Sequence, residues 1–221
     1  MARIIINGQS RHVPGGRILL SIACIMIGVI LIGPFHEFGH CVFYWIQGIP
    51  ASMSLTKEFP LRDITVREYA LGSFGGIFFS WLALLFFFVL QDWLLRKNKK
   101  GKEKFSFLFL GQNMIGFISL LQFFLKGDSP GEFRFAETQI GLPKHSLLWL
   151  TVLLSLILLI LFLSRLRIRI RLKEISFFFS IFVLSLLCVG LIEELDKNLF
   201  WHKFPTIKIG DVKVYNAPLQ K

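Results

Sequence analysis

Ile18-Leu19-Leu20-Ser21-Ile22-Ala23-Cys24-Ile25-Met26-Ile27-Gly28-Val29-Ile30-Leu31-Ile32-Gly33-Pro34-Phe35 is an uncharged run of 18 residues that leads straight into His36-Glu37-Phe38-Gly39-His40. A run of that length and apolarity is long enough to enter a bilayer as a helix. Glu37 apart, no formal charge follows until Lys57. Two histidines and a carboxylate in such a stretch cost about a few kcal/mol each in hydrocarbon unless they are paired or ligated. A chain that keeps them there uses them. On a helix, positions i and i+4 share a face, so His36 and His40 can place two imidazole nitrogens on one zinc ion. Glu37 is one step round, within reach of an activated water whose proton it can take.

Outward from this motif the composition agrees. The chain has 221 residues, 54% of them hydrophobic, with 25 Phe against 3 Tyr, which is membrane composition. The net charge of +11 would suit nucleic acid if it formed a patch. Instead the Lys and Arg residues gather in short segments between apolar runs, as they do in membrane proteins, and nucleic-acid binding is set aside. Cys24, Cys41 and Cys188 lie in or beside the apolar runs without CxxC spacing, and read as small apolar packing residues. Arg3, Arg11 and Arg17 before the first run resemble the start of a signal peptide. No small-residue cleavage site follows, so an uncleaved first span is expected.

The expected architecture is an all-α polytopic membrane protein of about five transmembrane helices, with short β-like segments outside the membrane. Residues 1–16 are a polar segment in which Ile4-Ile5-Ile6 and Asn7-Gly8 suggest a strand and turn. Residues 17–130 form the core. A first span runs from about Arg17 through HEFGH towards Pro50, loosened at Gly33-Pro34. A second covers about Tyr69 to Leu95 and a third Phe105 to Leu125. The stretch from Ala51 to Glu68 carries mixed charge and suits a short hairpin or a re-entrant piece near the site, where an exposed edge can hold an extended peptide by strand addition. Residues 131–145 read as a loop. Residues 146–194 give two accessory spans, Ser146–Ser164 and Ile175–Ile192, and 195–221 an extramembrane tail with a hairpin at Gly210-Asp211. No internal repeat is found, and spans four and five are nearly featureless, which speaks against a transporter.

A catalytic zinc needs three protein ligands and one open position. Asp128 ends the third span between Gly127 and Ser129-Pro130 and can point back into the bundle. Gly-Asp-Ser-Pro-Gly is equally good turn chemistry without a metal. Glu193 and Glu194 at the end of the fifth span compete with it, and His145 and Glu132 are further options.

The HEFGH motif at the end of an early span, Ala70-Leu71-Gly72-Ser73-Phe74-Gly75-Gly76 opening the next, and Asp128 at a later span end together resemble the site-2 protease family. The resemblance covers roughly residues 20–130. It implies an intramembrane zinc metallopeptidase with a three-helix core, with His36, His40 and Asp128 as zinc ligands and Glu37 as general base. Gly72, Gly75 and Gly76 would serve substrate binding or helix packing. Where the family usually has Leu-Asp-Gly, this chain has Gly127-Asp128-Ser129. Where the family has Gly-Pro and a later Asn, it has Gly72-Ser73 and Gly76.

The expected function is therefore a zinc-dependent endopeptidase, an integral multi-pass protein (of the cell membrane in a prokaryote), cleaving a membrane-anchored protein in or near its transmembrane segment. The alternatives are a non-catalytic zinc- or partner-binding membrane protein, and a membrane metallopeptidase with Glu193 or Glu194 as third ligand. Oligomeric state is left open, and so is orientation. Five spans and the basic segments 96–104 and 165–173 put the motif near the non-cytosolic side, whereas the resemblance implies the cytosolic one.

Overall fold

The computed structural model describes residues 3–6, 9–12, 15–97, 102–166, 172–204 and 206–214. Seven α-helices in these residues build a bundle: α1 (Gly15–Ile30), α2 (Ile32–Ile46), α3 (Val66–Arg96), α4 (Lys102–Lys126), α5 (Gly131–Ile140), α6 (Ser146–Leu166) and α7 (Leu172–Leu199). Three two-stranded antiparallel hairpins accompany them. These are β1 (Arg3–Ile6) with β2 (Gln9–His12), β3 (Ala51–Met53) with β4 (Glu58–Pro60), and β5 (Ile207–Ile209) with β6 (Val212–Val214). The hairpins expected near the N-terminus, in 51–68 and around Gly210-Asp211 are thus present, although Asn7-Gly8 falls outside the described residues.

Four stretches are long and apolar enough to cross a membrane: Leu19–Ile46, Val66–Arg96, Phe105–Lys126 and Ser146–Ser164. They make the chain a multi-pass membrane protein by length and composition. The fifth expected span falls on α7, which is helical throughout but does not meet that criterion among the described residues. The outward face of α6, with Leu150, Leu153, Ile157, Ile160 and Leu161 exposed, has the apolar surface that lipid requires.

The first span is not one helix. Pro34 has no N–H to give the Ile30 carbonyl and its ring crowds that carbonyl, so the helix breaks one turn earlier, at Leu31. The break lets α1 pack on α4 while α2 packs on α3. At both crossings backbones touch. A Cβ on Gly28 would collide with the backbone at Leu108 and Gly111, and one on Gly39 with the Gly75 carbonyl and Phe79. Polar side chains lock the same crossings. Gln112 donates to the Gly28 carbonyl at 2.7 Å and Asn113 to the Ser155 carbonyl at 3.1 Å, joining α1, α4 and α6. Around them Leu84, Phe87, Phe109, Ile115, Leu158 and Phe162 form the largest buried apolar cluster.

Residues 131–145 differ from the expected loop: they contain α5. Its Phe133 and Ala136 pack with Ile77 of α3 and Leu147 and Leu148 of α6. Gly141, in the left-handed region at φ 79°, ends it. A Pro-Gly turn before the helix and a glycine after it bracket only ten residues, too short to stand out against long spans on either side.

The C-terminal part of α7 returns to the β3–β4 hairpin. Buried Asp196 accepts from the amides of Leu55 and Thr56 at 3.3 and 3.1 Å and from the Thr56 hydroxyl at 2.7 Å. Phe59 stacks on Phe204 with centroids 3.8 Å apart, and Ile209 of β5 bridges to Ile64. Burial alone would raise the Asp196 carboxyl, but these donors and the Trp201 indole hold it below the usual carboxylate range. Asp196→Ala is expected to weaken this clasp by about 2 kcal/mol, so the Leu55 and Thr56 amides should exchange hydrogen roughly 30-fold faster. Unchanged exchange at those two amides would remove Asp196 from the clasp.

Candidate metal centre

α2 and α3 meet through small residues on one side and imidazoles on the other. On α3 the facing residues are Gly72, Gly75, Gly76 and Ser80, spaced to share one helix face. A Cβ on Gly72 would strike the Tyr44 ring, and one on Gly75 the Gly39 carbonyl and Phe43. At Gly76 it would lie 2.5 Å from Nε2 of His40 and 2.9 Å from Cε1 of His36. The glycines thus lie against α2 at its motif, and Gly76 leaves the space that the two rings occupy. The rings stand edge to face with centroids 4.6 Å apart.

The hydrogen bonds behind the rings fix their tautomers. Nδ1 of His40 lies 2.8 Å from the Gly72 carbonyl, which only accepts, so Nδ1 carries the hydrogen. Nδ1 of His36 lies 3.0 Å from the Ser80 hydroxyl. That hydroxyl donates its own hydrogen to the Gly76 carbonyl at 3.0 Å, so it accepts from His36. In the neutral rings both Nε2 atoms therefore present lone pairs to the front of the site.

What faces them is another acceptor. Oε2 of Glu132, in the first turn of α5, lies 2.7 Å from Nε2 of His36 and 3.6 Å from Nε2 of His40. With both rings neutral these acceptors repel, so either a proton on Nε2 or a metal cation stands among them. Nε2 of His40 is buried without a hydrogen-bond partner, and so is Oε2 of Glu37. Ligand atoms of His36, Glu37 and His40 all lie within 4.8 Å of one another. Two imidazoles and a carboxylate, each imidazole braced by a second hydrogen bond, form a donor set that suits zinc. The residues fit the metal.

The segment after α4 aims Glu132. The Glu137 carboxylate, buried, accepts from the backbone amides of His145 and Leu147 at 2.8 Å each, tying the end of α5 to the start of α6. Asp128 bonds Arg134 at 3.0 Å and lies 3.5 Å from Lys144, and the Ser129 hydroxyl meets Nδ1 of His145 at 2.6 Å. The Arg134 guanidinium and the Ser129 amide hold the Asp128 carboxyl below its ordinary value.

Among the sequence candidates, then, His36, Glu37 and His40 come together, and Asp128 is engaged elsewhere, by its own turn. His145 serves that turn as well. Glu193 and Glu194 lie exposed on α7, with Glu194 near Asn198 at 3.3 Å. Glu132 takes the position facing the imidazoles. The signal for it was the Pro130-Gly131 helix start together with the apolar spacing of Phe133, Ala136 and Ile140.

The β3–β4 hairpin closes one side of the site. Cys41 donates to the Ser52 carbonyl and the Trp45 indole to that of Ala51, fixing β3 on α2. Burial pulls the Lys57 ammonium below its ordinary value, against the attraction of Glu58 and Glu37. Comparison of the chain with protein-family models, curated proteins and solved structures finds no match.

Ala in place of Gly76 is expected to push both rings off their positions and to lower bound zinc per chain, while Gly75→Ala should instead loosen the α2–α3 crossing. Metal content and thermal stability of the two variants check this. Zinc unchanged in Gly76→Ala would show that the space over that glycine is not needed by the rings.

Proposed function

We propose that this chain is a zinc-dependent endopeptidase of the membrane, in which His36, His40 and Glu132 hold the metal and Glu37 is the general base. The observation that carries this reading is the convergence of the Nε2 atoms of His36 and His40 on the Glu132 carboxylate, with the unpartnered Oε2 of Glu37 buried on the same helix. A zinc ion held there supplies Lewis-acid activation of water and of the scissile carbonyl.

The chain's own groups account for the rest. Glu37 removes a proton from the attacking water and returns it to the departing amine. The Gly72 carbonyl and Ser80 keep the imidazoles in the tautomer that points Nε2 forward. Glu132 retains 39% side-chain exposure, which makes its side the open one, whereas Glu37 and His40 are buried. The substrate class is a membrane-anchored protein, unwound where it enters, since a helical peptide bond is shielded by its own hydrogen bonds. The resemblance to the site-2 proteases supports the reaction type; the glutamate on α5 in place of an aspartate at a span end departs from that pattern.

A purely structural zinc site has no use for a second buried carboxylate with an unpartnered oxygen, and Oε2 of Glu37 is such an atom. The test is a detergent-solubilised preparation assayed for bound zinc and for cleavage of transmembrane-anchored reporter proteins. Bound zinc with no cleavage by a folded, metal-replete chain across such reporters would leave only the binding reading.

A further inference from the structure

The two ends of the bundle differ sharply in charge. At the site end lie the α2–α3 connection with its hairpin, the α4–α6 connection with α5, and the end of α7. Contacts join them: Glu132 reaches His36, Asp196 reaches Leu55 and Thr56, and Ile209 meets Ile64. At the far end lie the start of α1, the end of α3 with the start of α4, and the end of α6 with the start of α7. Residues 96–104 and 165–173, which join those helix ends in sequence, hold eleven basic residues and one acid. Residues 47–68 and 126–145, at the site end, hold six basic residues and six acids.

Two of the site-end bases are also neutralised locally: Arg62 pairs with Glu68 at 2.8 Å and Arg134 with Asp128 at 3.0 Å. Short connections rich in Lys and Arg are retained on the cytosolic side of a membrane. α7 begins at the far end, only five residues beyond α6, and carries Asp196 to the site end, so it returns across the bundle. Its 28 residues reach about 42 Å, enough for a crossing.

We infer that the far end is cytosolic and that the metal centre opens on the non-cytosolic side, through the face formed by α5 and the β3–β4 hairpin. This is opposite to the orientation that the site-2 protease resemblance implies. The β5–β6 hairpin is then non-cytosolic as well. Resting on the peptidase reading, the substrate follows: a membrane-anchored protein whose cleaved stretch borders the non-cytosolic end of its transmembrane segment.

The orientation is tested without reference to activity. In a chain whose Cys24, Cys41 and Cys188 are replaced by alanine, single cysteines are placed at exposed Gln139 of α5 or at exposed Lys97 beyond α3. A membrane-impermeant maleimide is applied to intact and to permeabilised cells. Gln139→Cys should label in intact cells as fully as after permeabilisation, and Lys97→Cys only after it. The reverse pattern, or equal labelling of both in intact cells, would overturn the inference. Alkaline phosphatase fused behind Lys221 gives a second reading without substitutions, because its disulfides form only outside the cytosol. Active fusions are expected, and inactive ones overturn the orientation. Zinc measured on the parent chain separates the two ideas. Reversed labelling with zinc bound removes only the orientation, whereas the expected labelling without zinc removes only the peptidase reading.

Discussion

Glu132→Ala is expected to strip zinc from the purified chain, lowering affinity by more than about 100-fold, while Asp128→Ala keeps about one zinc per chain. Removing Glu132 takes away the carboxylate that faces both Nε2 atoms and leaves two imidazoles, too few donors for a tight zinc site. Asp128 bonds Arg134 and the Ser129 amide, so its loss loosens the turn that aims α5 and leaves the donors themselves in place. Its effect should appear as a modest fall in affinity or thermal stability. Glu132→Asp separates ligation from charge: the shorter side chain keeps the carboxylate but withdraws it by one methylene, and should bind zinc more weakly than wild type. Metal analysis of the four proteins after dialysis against a weak chelator decides the matter. Zinc lost in Asp128→Ala and kept in Glu132→Ala would return the third ligand to the span end.

The places of Asp128 and Glu132 in the fold show what the sequence can and cannot carry. The motif itself was legible because its two histidines are four residues apart on one helix, and helical periodicity is a local rule. The carboxylate that faces them, Glu132, lies 96 residues beyond His36, and its placement depends on a ten-residue helix between two spans. Asp128 looked right by position, since it ends a span, but Arg134 and Lys144 take its oxygens through contacts that no spacing rule foretells. Glycine density at 72–76 pointed to a close approach, yet only the packed pair showed that Gly76 lies under the histidine rings while Gly75 meets Gly39. The long helices and the three hairpins were readable from hydropathy and turn residues. The break at Leu31 was readable in part, because Pro34 is visible in the sequence but its effect falls a turn upstream. The clasp between Asp196 and the β3–β4 turn spans 140 residues and left no local trace.

Glu37→Gln is expected to hold its zinc and fold, and to lose cleavage by about 10²- to 10⁴-fold. Glutamine has the shape of glutamate without its charge, so the buried position keeps its packing. Oε2 of Glu37 is buried without a hydrogen-bond partner in the protein, so the amide gives up no bond at that atom. The thermal midpoint of the variant should therefore stay close to that of wild type. What the amide cannot do is accept a proton from water and pass it to the amine, and that loss falls on the transition state alone. The fall should consequently lie in kcat with KM little changed. A rise in KM with kcat intact would mean that Glu37 binds substrate and moves no proton. Cleavage at the wild-type rate by zinc-bound Glu37→Gln would take Glu37 out of the chemistry altogether, and the metal would then have to be explained by binding alone.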